Sequence, residues 1–239
     1  MKTGMKINTI ILGDAFKELK KLPSGFVDAV ITDPPYFFEA HARGFASERK
    51  KLFGGLKDIG VNKDKNFITE ELLSELLRIC KEKNIFIFCN KPQILDILLF
   101  SKKKKLSFEL IPLCKTSPMP LSNNQWLPDR EWGIHLFKNC EVKGDYKTKQ
   151  GFFLDNNYKQ DKFNHPSVKP EQIIRRIIKN ISNEGGLILD CFMGSGTTAI
   201  ACKQLGRNFI GIEINSEYIK IANRRLEQQI LKIGEKNKL

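Results

Sequence analysis

The chain reads as an α/β fold, a mostly parallel sheet with helices on both faces, and three observations predict it. Residues 186–190 (Gly-Leu-Ile-Leu-Asp) run into a glycine turn, a helix and a second strand over 207–213 that ends on Glu213, which is a βαβ unit. Residues 85–90 (Ile-Phe-Ile-Phe-Cys-Asn) are apolar almost throughout, the mark of a strand covered on both sides. The apolar run 26–31 stops on Thr32-Asp33-Pro34-Pro35-Tyr36, because neither proline can donate to a sheet ladder. Asp33 therefore lies at a strand's carboxyl end, the edge where open α/β sheets bind ligands.

Taken in order, residues 6–12 alternate and are rich in Ile, predicting a strand that ends at Gly13-Asp14. Asp14 then suits the N-cap of a helix closed by Pro23-Ser24-Gly25. The Asp33 strand follows, so two acids stand at strand ends. From 37 to 67 the periodicity disappears, and Gly44, Gly54, Gly55 and Gly60 mix with Arg43, Arg49 and several lysines. A loop this long is usually functional or disordered, so 37–67 is expected to be either a mobile lid or a surface insertion.

Residues 69–83 predict an amphipathic helix with Thr69 as cap, Glu70 and Glu71 in its first turn and Lys81 and Lys83 in its last. After the 85–90 strand, Pro92 opens a helix that runs into Lys102 to Lys105, a solvated helix end. Residues 108–113 and 132–137 predict two further strands as an antiparallel pair. Residues 139–164 are polar with interleaved Tyr146, Phe152, Phe153, Tyr158 and Phe163; such a segment either reads bases as a target-recognition insert or packs onto the body. Pro170 suits the first turn of a helix reaching Ser182, and a last helix is expected over 216–232, capped by Asn215 and ending before Gly234.

Bulk properties narrow the classes. A chain of 239 residues with 41% hydrophobic and 28% charged residues suits one soluble domain, 1–239. No apolar run approaches the roughly 18 residues that would span a membrane. The Thr9-Ile10-Ile11-Leu12 run is too short for a secretory core, so a cytoplasmic location is expected. Six scattered cysteines form no Cys-x-x-Cys pair and no spacing suited to zinc, so no metal is expected. The 40 basic against 27 acidic residues give a net charge of +13, which suits a phosphate polymer and also suits mere solubility.

The motif chemistry separates these options. An exocyclic base amine is a poor nucleophile because its lone pair is delocalised into the ring. Acceptors that draw on its hydrogens pyramidalise the nitrogen, and Asp33 with the carbonyl beside the rigid Pro34-Pro35 pair supplies two. Tyr36 would stack on the base, which must first be flipped out of a duplex to be reached. Gly194-x-Gly196-x-x-Ala199 with Glu213 beyond it also satisfies a dinucleotide fingerprint, and by spacing alone the ligand stays open.

Asp33-Pro34-Pro35-Tyr36 resembles the signature of amino-group DNA methyltransferases, which make N6-methyladenine or N4-methylcytosine from S-adenosylmethionine. Asp190-x-Phe192-x-Gly194-x-Gly196-Thr197 closely matches the cofactor motif of the same family, and His165-Pro166-Ser167-Val168-Lys169-Pro170 resembles its His-Pro-Thr-Gln-Lys-Pro segment, with Val168 departing. Lys115-Thr116-Ser117-Pro118-Met119-Pro120 resembles a segment lining its base pocket. A catalytic motif ahead of the cofactor motif resembles the β group, implying a Rossmann-like, seven-stranded sheet entered by circular permutation in the class I methyltransferase order. The resemblance implies that Asp33, Pro34, Pro35 and Tyr36 are catalytic. It further implies that Asp14, Ala15, His165, Ser167, Lys169, Asp190, Phe192, Gly194, Ser195, Gly196, Thr197 and Glu213 bind the cofactor. Asp at the first motif position resembles adenine-specific members. N4-cytosine, RNA or protein amide nitrogen are the alternative targets, and an inactive DNA-binding module is the alternative class. Implied partners are double-stranded DNA, a second copy of the chain and a cognate restriction endonuclease.

Overall fold

The computed structural model describes residues 5–36, 66–116, 126–127, 129–155 and 169–236. Among the described residues eight strands form a single sheet: β1 (Thr9–Leu12), β2 (Ala29–Thr32), β3 (Ile85–Cys89), β4 (Ser107–Lys115), β5 (Arg130–Phe137), β6 (Phe153–Asp155), β7 (Leu187–Asp190) and β8 (Asn208–Glu213). Their order is β1-β8-β7-β2-β3-β5-β4-β6. All neighbours pair in parallel except β3 with β5 and β4 with β5, so β5 alone runs against the rest. The antiparallel pair expected from 108–137 is β4–β5. The eighth strand, β6, pairs Leu113 with Phe153 and Lys115 with Asp155 at the sheet margin. Three residues are too few to announce themselves by alternation.

Alternation assigns the two faces. Ile85, Ile87 and Cys89 of β3 join the core beneath α1 (Ala15–Lys21), α2 (Glu70–Ile79) and α3 (Lys91–Lys104). Phe86 and Phe88 join the opposite core beneath α4 (Glu171–Ile181), α5 (Thr197–Gln204) and α6 (Ser216–Lys236). A strand with no polar face is thus buried from both sides, as its composition requires.

Helix ends explain two departures from expectation. α2 stops at Ile79, not Lys83, because the chain leaves it to pair with the neighbouring segment: Phe26 N–H donates to Ile79 O, and Lys81 N–H to Val27 O. Arg78 in its last turn donates to the carbonyls of Leu19 and Leu22, tying α2 to the end of α1. α6 runs past Gly234 to Lys236, since one glycine costs a helix only about 1 kcal/mol. Among the described residues no helix is long and apolar enough to cross a membrane, and all six cysteines are free.

Parallel strands place their carboxyl ends along one edge. Along it stand Asp14 after β1, Glu213 on β8, Asp190 on β7, Asp33 after β2 and Asn90 after β3. The reversed strand β5 begins at this same edge, so it delivers its first residues there. Cys89 pairs with Trp132, and Leu113 with Glu131.

Candidate active site

Asp33 follows the last residue of β2, and Lys169, just ahead of α4, reaches it across the sheet edge: Lys169 Nζ donates to Asp33 Oδ2 at 2.7 Å. The same ammonium lies 2.9 Å from Tyr36 Oη and 3.2 Å from Glu131 Oε2. It also sits over the rings of Tyr36 and Phe88, 5.0 and 5.2 Å from their centroids, positions that favour a cation. Lys169 itself is only 6% exposed. Tyr36 Oη donates to Glu131 Oε2 at 3.1 Å, and Lys115 Nζ donates to Glu131 Oε1 at 2.5 Å. Asp33 Oδ1 is buried and has no hydrogen-bond partner among the described residues.

Electrostatics follow from this packing. Burial pushes the Asp33 carboxyl above its ordinary range, and the Lys169 charge offsets only part of that. Burial opposes the charge on Lys169, yet Asp33, Tyr36 and Glu131 together hold it well above the usual lysine value. Glu131 is desolvated too, but Lys169 and Lys115 outweigh that and hold it down at about 2. Tyr36 is driven upward by burial and by the adjacent Asp33. The cluster thus gathers two acids, two lysines and a phenol around Lys169.

The proline pair is fixed from the side. Gln93, fully buried in the first turn of α3, donates to the Pro35 carbonyl at 3.1 Å, and its Oε1 accepts from Asn90 N–H in a capping box. Gln93 thus couples the end of β3 to the Pro34-Pro35 turn.

The second half of the edge is the glycine turn after β7. Asp190 Oδ2 accepts from Thr198 Oγ1 at 2.6 Å and Oδ1 from Phe192 N–H at 3.1 Å, so both oxygens brace the turn from within; burial pushes this carboxyl up to about 7. Arg225 of α6 holds the other side, donating to Ser195 O at 2.7 Å and Ser195 Oγ at 2.8 Å. Ser195 and Thr197 are buried in this clamp. Gly196 has φ +85°, and a Cβ there would lie 2.7 Å from that of Ala222, so α6 packs on the turn as closely as a glycine permits. Glu213 Oε2 accepts from Gly194 N–H at 2.8 Å and Oε1 from Asn215 N–H at 2.9 Å.

Of the residues singled out in the sequence, Asp33, Tyr36 and Lys169 are thus in mutual contact, with Pro34 and Pro35 between the first two. Gly194 to Thr197, Asp190 and Glu213 form the neighbouring group. Asp14 caps α1, its carboxylate accepting from Lys17 N–H, and Gly13 N–H donates to Glu213 O, which sets Asp14 and Ala15 beside Glu213. Phe192 meets Phe67 edge-on at 6.1 Å, and Phe67 in turn meets Phe16 at 6.4 Å, an aromatic wall beside the turn. Lys169, expected at the cofactor, has its ammonium on Asp33. His165 and Ser167 lie outside the described residues, as do 37–65 of the expected lid and 156–164 of the expected insert. Glu131, Gln93 and Arg225 escaped sequence reasoning. An acid opening the 130–137 strand and the Asn90-x-x-Gln93 capping pattern were the signals for the first two; nothing local marks Arg225.

The described part of the insert does not face Asp33. Lys143 N–H donates to Asn180 O, near the end of α4 that meets the amino ends of the strands, where Asn84 donates to Ile181 O. Arg176 donates to the carbonyls of Thr148, Gln150 and Phe152 and covers the Phe153 ring at 4.4 Å. Residues 143–153 are a strap fastened to α4, and β6 returns the chain to the edge that carries Asp33 only at Asp155.

Comparisons with known proteins agree with this geometry. The chain is 28% identical over 273 residues to the DNA adenine methyltransferase YhdJ of Escherichia coli K12, covering 94% of this chain and 84% of YhdJ. It is 30% identical to the type II methyltransferase M2.DpnII of Streptococcus pneumoniae over 92% of this chain and 90% of that one. The crystal structure of the M1.HpyAVI–SAM complex superposes with a TM-score of 0.66 at 29% identity, covering 91% and 99% of the two chains. A family model described as DNA methylase, for the N6 and N4 enzymes, matches residues 27–224, so this chain belongs to that DNA methylase family.

Proposed function

We propose that this enzyme transfers a methyl group from S-adenosylmethionine to the exocyclic N6 of adenine in double-stranded DNA, as a site-specific methyltransferase of the restriction-modification kind. The observation that carries the reading is the state of Asp33: one carboxylate oxygen is held by Lys169, and the other is buried without a partner among the described residues. An unmade hydrogen bond on a buried acceptor costs roughly 1–3 kcal/mol, which an N–H donor of a base amine would recover. The relative named as a DNA adenine methyltransferase supports the choice of base.

The cofactor fits the other half of the edge. Glu213 keeps acceptor capacity for ribose hydroxyls beyond its two backbone bonds. Leu12, paired with it in register, and Ile214 after it are exposed apolar faces for a purine ring. Glu213 and Asp33 end strands two apart in the sheet, a separation of roughly 10 Å at the usual strand spacing. Bound there, S-adenosylmethionine supplies a methyl group on a sulfonium that departs as a neutral thioether. Asp33 Oδ1 and the Pro34 carbonyl draw on the amine's hydrogens, and Tyr36 stacks on the base. Asp33, made more basic by burial, takes the proton that the amine releases once methylated. Positioning supplies most of the effect, which suits a rigid proline turn fixed by Gln93. A cytoplasmic enzyme of one domain, with a second copy and a cognate endonuclease as further partners, belongs to the same reading.

The test is transfer of labelled methyl from S-adenosylmethionine to unmethylated genomic DNA, with nucleoside digestion and mass spectrometry. N6-methyldeoxyadenosine is the expected product. N4-methyldeoxycytidine would overturn the base, and label appearing only in RNA or protein would overturn the substrate.

A further inference from the structure

We propose that Glu131 is the positioning residue that sets both base-facing groups of this site, the Asp33 carboxylate and the Tyr36 ring. The proposal rests on the reading of Asp33 as the amine's acceptor.

The geometry leaves Lys169 no freedom. An ammonium has three hydrogens, and its three oxygen neighbours here are Asp33 Oδ2, Tyr36 Oη and Glu131 Oε2. Tyr36 Oη accepts from Lys169 and donates to the same Glu131 oxygen, so its hydroxyl is held from two sides and its ring plane with it. Lys115 holds the remaining oxygen of Glu131. Glu131 is the member of this group that touches Lys169, Tyr36 and Lys115 at once, and it opens the one strand that runs against the sheet, which is how a β5 residue comes to this edge.

Charge gives Glu131 a second role. A lysine paired with Asp33 alone would make that carboxylate a weak proton acceptor. Glu131 shares the Lys169 charge and adds its own field, so Asp33 stays basic enough to receive the product's proton. Lys115 offsets Glu131 in turn. The other ionisable groups whose charge bears on Asp33 or Lys169 are Tyr36, Asp190 and the Cys89 thiol.

Glu131→Gln keeps the shape and removes the charge. With the genomic DNA assay, kcat should fall roughly 10- to 100-fold, the range that misplacement of a reacting group produces. The KM for DNA and the calorimetric affinity for S-adenosylmethionine should change less than about threefold, since a residue that sets geometry alone leaves binding nearly uniform. The acid limb of the kcat profile should move to lower pH, because Lys169 then pairs with Asp33 undivided. Lys115→Met tests the same idea with opposite sign: an unbalanced Glu131 draws Lys169 away from Asp33, and the limb should move to higher pH. A limb that stays in place in both variants, or an activity loss that tracks cofactor affinity, overturns the proposal. Wild-type protein that labels no DNA overturns the functional reading and removes the base this residue would position, an outcome distinct from an active wild type with an unaltered Glu131→Gln variant.

Discussion

Replacing Lys169 with methionine keeps an unbranched apolar side chain one atom shorter and deletes the one cation among the described residues that faces both acids. Breaking a buried ion pair by removing one partner costs about 3–5 kcal/mol when the other charge stays buried. Here the side chains of Asp33 and Glu131 are 26% and 16% exposed and Glu131 retains Lys115, so solvent screening reduces the cost to about 2–3 kcal/mol. For a chain of this size that lowers Tm by about 5–10 °C. The pH dependence identifies the cause. In Lys169→Met the Asp33 carboxyl rises further above its unfolded value of about 3.9, and a raised carboxyl contributes stability at low pH that is lost as pH climbs through its folded value. Urea unfolding should therefore show a smaller deficit at about pH 5 than at about pH 8. The depressed Glu131 acts only toward about 2, below that window. Deleting both charges in Lys169→Met with Asp33→Asn should cost less than Lys169→Met alone. An equal deficit at both pH values, or additive costs in the double variant, would refute the idea that an uncompensated Asp33 is what the lysine prevents.

Three other outcomes follow from the geometry. Asp33→Ala should abolish methyl transfer while calorimetry still shows S-adenosylmethionine binding, because Asp33 stands two strands from Glu213; equal loss of both would remove Asp33 from its assigned place. Gly196→Ala meets a φ of +85° and the Cβ of Ala222 at 2.7 Å, so thermal melting should show a loss of about 2–4 kcal/mol and cofactor affinity should fall with it. Arg176→Ala removes donors to three carbonyls of the 143–153 strap, and limited proteolysis should then cut within 145–152, where the wild type resists.

What could be read from the chain divides by the range of the interactions. Asp33, the glycine turn and Glu213 were legible because strand periodicity and its termination are local, and an acid after a β-branched run marks a sheet edge wherever the sheet lies. The two-faced burial of β3 was legible for the same reason. Contacts across the sequence were not. Lys169 stands 136 residues from Asp33, and its resemblance to a cofactor segment gave no hint that its ammonium closes on that carboxylate. Glu131 became a site residue through the reversal of β5, and the strand expected from 132 left it outside. The early end of α2 came from pairing beside Val27, a tertiary contact that overrode a favourable helical pattern.

The strap bears on how the net charge of +13 should be read. α4 runs from Glu171, just past Lys169 at the edge that carries Asp33, to Ile181 at the opposite one, and Asn180 and Arg176 fasten residues 143–152 along it. Lys143 is therefore held near the amino ends of the strands, with Lys147 and Lys149 carried in the same strap. Lys102 to Lys104 close α3, and Ser107, two residues past Lys105, pairs with Phe137 at that same end of the sheet. These cations stand on the far side from the unpaired oxygen of Asp33. Counterion release depends on the phosphates actually neutralised. The net charge therefore includes cations, among the described residues, that stand away from the edge carrying Asp33, and it overstates what that edge can offer to phosphates.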